Sequence, residues 1–176
     1  MMNLIQKFFS TDRSNKAQIR KNFTTYFYSL PEHQWILETD CRGHFDKLFS
    51  LLPSGILEAM MTKYPVEFIP SYAMKEHHRK GMVLANTIIV FPEFQKLLKS
   101  DKRAAVAYLA HEVAFVLYEH EGNKDHDPLM AEVAADKFVC DLGLTFELED
   151  LLLMLDETIE KRLRLTYLTI NHFKDN

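Results

Sequence analysis

Little in this sequence bends or ties the chain. Five glycines and six prolines in 176 residues leave few places for a long flexible linker. Cysteine is scarcer still. Cys41 and Cys140 are the only two, too few for a disulfide scaffold and too far apart for a CxxC pair. They read as buried thiols of a reducing compartment. No apolar run reaches the roughly 18 residues that a membrane helix needs. The apolar patch in MMNLIQKFFSTDRSNK is too short for a secretory h-region and has no small-residue cleavage site after it. A cytoplasmic protein without a membrane span is expected. Basic excess is missing too. The formal net charge of -4 removes any general attraction to nucleic acid or acidic membranes. There is no internal repeat and no low-complexity segment.

What remains has the balance of a globular protein, with 47% apolar and 26% charged residues. The length suits one domain with its own core, so a single domain over 1–176 is expected, with 1–16 as a loose arm. A helix from Ser14 would place Ile19, Phe23 and either Phe27 or Tyr26 on one face and stop at Pro31. Between Asp40 and Tyr64 the pattern predicts one or two helices, broken near Pro53 to Gly55, with Ser54 as an N-cap. PVEFIPSY (65–72) and GMVLANTIIVFP (81–92) differ in kind. Both are rich in β-branched and aromatic residues and bounded by Pro or Gly, so two or three strands fall there. MKEHHRK is the polar connection between them, and PEFQKLLKS is a short helix.

A long helix is expected from Ser100 or Asp101 to about His120, closed by Gly122-Asn123. Asp127 would cap the next helix, with Pro128 in its first position and Gly143 at its end. Helical stretches at 147–160 and 161–173 follow. EKRLR, within the last of them, reads as a solvated face. The fold class is therefore α+β, mostly helical with a small sheet of two to four strands.

The chemistry-bearing residues lie on the two central helices. YLAHEVAFVLYEH (108–120) contains His111-Glu112, the first half of HExxH. In that motif two histidines four residues apart aim at one zinc ion, and the Glu activates the bound water. Here the second histidine is replaced by Phe115, which has no lone pair for a metal. AEVAADKFVCDLGL (131–144) carries Glu132 and Asp136, a second i, i+4 pair. The 21 residues from His111 to Glu132 allow an antiparallel return, so Glu132 is placed to face His111.

Gly81 to Thr145 resembles the zinc peptidases of the CAAX prenyl protease and HtpX type, and the soluble minigluzincins that share their core. ANTIIVFPEFQKLLKSD resembles their edge strand and short helix, and RAAVAYLAHEVAFVLYEH resembles their motif helix. EVAAD resembles their Glu-x-x-Ala-Asp, and DLGLTFELEDLLLML the turn and helix that follow. The His-Pro element that commonly comes later in that family is not evident in DETIEKRLRLTYL. The resemblance implies a zincin-like domain with its motif core at about 81–155 and a small sheet packed on the motif helix. It puts His111 and Glu132 in zinc-ligand places, Glu112 in the general-base place, and Asp136 behind the His111 ring. Thr87, Ile88, Ile89 and Val90 take the place of the edge strand that would hold an extended peptide.

Phe115 decides the expected function. Catalytic zinc takes three protein ligands and a water, and His111 with Glu132 supplies two. His120 lies nine residues, about 900° and 13 Å, beyond His111, on the opposite side of the helix. His126 on the following loop is the best surrogate, with His77 and His78 behind it. Zinc is expected to bind weakly or not at all, with Phe115 filling the ion's space. The favoured reading is a degenerate metallopeptidase-like domain with a peptide-binding, protein-binding or regulatory role. Two others stay open. One is a working zinc peptidase completed by His126. The other is a helical structural protein in which the His-Glu pair is coincidental. No feature selects an oligomeric state.

Overall fold

Phe23 and Phe27 recur at helical spacing on α1 (Lys16–Ser29), and with Ile19 they form its buried face. That face meets Phe45, Leu48 and Phe49 of α3 (Arg42–Leu51). In the computed structural model, residues 15–71, 82–84 (main chain only), 86–100, 103–120 and 128–172 are described. The chain divides into two compact units, Met1–Asp101 and Lys102–Asn176. The reading of one domain over 1–176 does not anticipate this division. Each unit closes its own core, and the motif core at 81–155 straddles the boundary. The sheet belongs to the first unit and the motif helix to the second. Both Cys41 and Cys140 are buried and free, as the sequence predicts.

The first unit is built around aromatic rings. Phe27 lies 4.8 Å from Phe49, 5.6 Å from Phe45, 5.7 Å from Phe23 and 6.0 Å from Phe68, mostly edge to face or tilted. Each such ring removed from water contributes roughly 1.5–3 kcal/mol, so this cluster is the unit's main apolar store. After α1 come a 3-10 turn at Pro31–His33, a short α2 (Gln34–Leu37), α3 and α4 (Ser54–Thr62). Ser54 is the first helical residue rather than the cap. Pro53 occupies the N-cap position, with extended backbone.

The strands are β1 (Glu67–Pro70), β2 (Met82–Leu84) and β3 (Thr87–Val90), in the order β1-β3-β2. β1 pairs with β3 in parallel, Glu67 opposite Thr87, and β2 pairs with β3 antiparallel, Leu84 opposite Thr87. The connection between β1 and β2, including His77 and His78, lies outside the described residues. Two side chains pin β1. The His33 Nδ1–H donates to the Phe27 carbonyl at 2.7 Å, and its Nε2 accepts the Phe68 N–H at 3.0 Å. The Trp35 indole N–H donates to the Phe68 carbonyl at 2.9 Å. Helix α5 (Pro92–Leu98) closes the unit.

The second unit is four helices: α6 (Ala104–His120), α7 (Pro128–Asp141), α8 (Thr145–Met154) and α9 (Ile159–His172). From Ala104 to Tyr118 every residue of α6 is buried except Phe115. A helix apolar on all sides is expected at the centre of its unit. α7 packs along α6 and stops at a left-handed Gly143 with φ of 79°. There the Gly143 N–H donates to the Cys140 carbonyl at 2.8 Å and the Leu144 N–H to the Val139 carbonyl at 3.2 Å. This double closure needs glycine's positive φ and turns the chain back into α8. No helix among the described residues is long and apolar enough to cross a membrane.

Candidate functional site

Four ionisable side chains meet inside the second unit: His111 from α6, Glu132 and Asp136 from α7, and Arg164 from α9. The i, i+4 spacing of Glu132 and Asp136 sets them one above the other on the face toward α6. They take the two edges of one imidazole. His111 Nε2 is 3.1 Å from Glu132 Oε2, and His111 Nδ1 is 3.0 Å from Asp136 Oδ1. His111 is 2% exposed and Asp136 is also 2% exposed, while the Glu132 side chain reaches 19%. Asp136 thus bonds the His111 ring, the place the resemblance gives it, and Glu132 faces it, as the spacing allows. Glu112 is buried beside them on α6.

Arg164 is the residue that sequence reasoning missed. Its Nε donates to Asp136 Oδ2 at 2.6 Å, its Nη2 pairs with Asp136 Oδ1, and its Nη1 reaches Glu132 Oε2 at 2.7 Å. Glu160, one turn earlier on α9, stands at 3.5 Å. The side chain is completely enclosed. EKRLR is therefore not a solvated face throughout. Lys161 is buried too, its ammonium donating to the Leu153 and Leu155 carbonyls at the end of α8. Three apolar residues of α9, Ile159, Leu163 and Ile170, are exposed instead. One signal was available. Two inward carboxylates facing one histidine need buried positive charge, and the cations of the last helix are near in sequence.

His111 has its pKa pushed up to about 10. Burial alone would lower it, but the hydrogen bonds to Asp136 and Glu132, and their negative charges, outweigh that desolvation. The ring is held as an imidazolium with both N–H groups donating. With Arg164 this sets two cations against the two carboxylates that touch the ring.

Zinc does not fit this donor set as a catalytic ion. The His111 Nε2 to Glu132 Oε2 spacing is close to the roughly 3.3 Å between two ligands about 2.0–2.1 Å from a tetrahedral ion. The third donor is missing, because Phe115 holds its place. Asp136 lies at the other edge of the ring and cannot share the ion with Nε2. Glu132 Oε2 also carries the Arg164 guanidinium. Among the described residues no group of three or more His, Cys, Asp and Glu side chains converges to hold a metal. Phe115 is the one partly exposed residue between Ala104 and Tyr118, so it is not a fully buried core residue. His126 lies outside the described residues.

The strand placed for peptide binding also needs correction. Thr87, Ile88, Ile89 and Val90 form β3, the central strand, with β1 on one side and β2 on the other. Its main-chain groups are used inside the sheet, so an added peptide strand has no place along it. Thr87–Val90 and His111 also belong to different units. Comparison of the chain with protein-family models, with curated proteins and with solved structures finds no match.

Proposed function

We propose that the chain is a degenerate zinc-peptidase-like domain, one that keeps the ligand frame of a gluzincin without its catalytic ion and acts in the cytoplasm by binding rather than by hydrolysis. One observation carries the reading. His111 and Glu132 present their donor atoms at a separation suited to one ion, Asp136 backs the ring, and the next position on the same helix face is Phe115. That arrangement keeps two ligand places and the carboxylate behind the ring, and lacks the third donor that catalysis needs. A coincidental His-Glu pair would give no reason for Glu132 and Asp136 to take opposite edges of the same imidazole. For a peptide or protein partner, β2 replaces β3 as the strand open to pairing, since it lies on the outer side of the sheet and has one neighbour among the described residues.

Metal analysis of protein purified without chelator tests the reading. The wild type should carry far less than one zinc per chain and leave an unfolded protein substrate uncut. Phe115→His should raise zinc affinity at least tenfold by restoring a third donor. One tight zinc in the wild type, lost in His111→Ala, overturns it. So does a Phe115→His variant that folds and gains no zinc.

A further inference from the structure

The helix α9 is docked in an unusual sense. Its buried residues are Lys161, Arg164 and Leu168, whereas Ile159, Leu163 and Ile170 face outward. Apolar packing is therefore a small part of what seats it. Lys161 closes the end of α8 through the Leu153 and Leu155 carbonyls. Arg164 enters the site itself and is the only one of its four charged members that comes from α9.

The guanidinium geometry sets what Arg164 does there. A planar fork meets a carboxylate through two parallel N–H bonds, which fixes the carboxylate's plane as well as its distance. Arg164 makes such a fork to Asp136 through Nε and Nη2, and its remaining arm, Nη1, stands 2.7 Å from Glu132 Oε2 as an ion pair without hydrogen-bond alignment. Asp136 Oδ1 is then shared between Arg164 and His111 Nδ1, and Glu132 Oε2 between Arg164 and His111 Nε2. Each of the two oxygens that touch the imidazole is also held by Arg164. In a metal site an ion collects its ligands and fixes their directions. Here the atom group that touches both carboxylates is covalently part of the chain.

We propose that Arg164 is the positioning residue of this site, its guanidinium orienting Asp136 and Glu132 against His111 in place of an ion. This rests on the degenerate reading above. Lysine at the same point keeps the charge but has one nitrogen, so it cannot fix the plane of Asp136 and hold Glu132 together.

The ring N–H signals of His111 in the full-length, 15N-labelled protein test the proposal, assigned by their loss in His111→Ala. The wild type should show a slowly exchanging Nδ1 proton, and excess chelator should leave it unchanged. In Arg164→Lys, which retains the charge, that proton should exchange at least tenfold faster while the backbone spectrum stays folded. Arg164→Met should lose the signal. Should Arg164→Met fail to fold, Arg164→Lys decides. Wild-type exchange in Arg164→Lys overturns the proposal, and so does loss of the wild-type signal on adding chelator. Zinc content of the wild type separates the two readings. A metal-free protein with an Arg164-independent ring leaves the degenerate reading standing and removes only the positioning role.

Discussion

His33 and His111 are both sealed from water, at 0% and 2% exposure, and their surroundings hold them in opposite protonation states. His33 lies in the first unit against Phe27, ring centroids 3.8 Å apart, with a carbonyl on one nitrogen and an amide N–H on the other. That amide hydrogen can only meet a bare nitrogen, so the ring is neutral, and desolvation keeps its pKa below the usual value. His111 has a carboxylate at each edge and is charged. Burial alone therefore says little about a histidine. The partner at the second nitrogen decides, and it separates a structural tie between main-chain segments from a site where charges meet.

The largest expected effect comes from breaking the charged side of this contrast. Arg164→Met leaves Asp136 and Glu132 without one of the two enclosed cations that touch them. Removing one member of a buried ionic set costs about 3–5 kcal/mol, which urea unfolding followed by far-ultraviolet circular dichroism should report. A loss under 1 kcal/mol would mean that the cluster relaxes into solvent. The neutral side is tested by His33→Phe, which keeps a ring beside Phe27 but strands the Phe27 carbonyl and the Phe68 N–H. Each buried group left unpaired costs about 1–3 kcal/mol, so a loss of roughly 2–6 kcal/mol is expected from the two, read through the fluorescence of Trp35. Because Trp35 is the sole tryptophan and lies in the first unit, the signal is local.

The subtlest expectation is a pH dependence of opposite sign in the two units. An unfolded histidine titrates near 6.5. His33 has its folded pKa depressed, so its contribution is present above about 6.5 and is lost as pH falls through the folded value. His111 has its folded pKa raised to about 10, so its contribution is complete below about 6.5 and is lost as pH rises through 10. Residue-resolved hydrogen exchange between pH 5 and pH 9, corrected for intrinsic rates, should show protection around Phe27 falling toward acid and protection along α6 falling toward alkali. Protection that moves in the same direction in both would break the comparison.

The parts that sequence reading reached are those governed by local rules. Helical spacing places Phe23 and Phe27 on one face of α1, and i, i+4 spacing sends both Glu132 and Asp136 to His111. The positive φ at Gly143 needs a glycine, and the end of α7 was legible from it. β-Branched and aromatic content located all three strands. Their order was not legible, because ANTIIVF reads equally well as an edge or a centre until its two neighbours are known. β1 reaches β3 from twenty residues away, and no local pattern encodes that pairing. Arg164 was hidden for a different reason. Hydropathy sends Ile159, Leu163 and Ile170 inward and Lys161 and Arg164 outward, and α9 does the reverse at these positions. Only the charge balance of the site, a property of three helices together, points to Arg164. The partial exposure of Phe115 is not legible either, because one partly exposed position in a buried helix has no signature in the apolar run around it.

The pinning of Phe68 bears on self-association. Glu67 and Ser71 direct their N–H groups to the Asn86 and Val90 carbonyls on the β3 side, so the main-chain groups of Phe68 turn to the opposite flank of β1. Those are the groups through which a stray strand from another molecule would extend the sheet, the first step toward aggregation. His33 takes the N–H and Trp35 the C=O. Two side chains, one from the turn after α1 and one from α2, thus stand in for a fourth strand at this point, blocking the growth of the sheet on that side without the folded chain having to supply one.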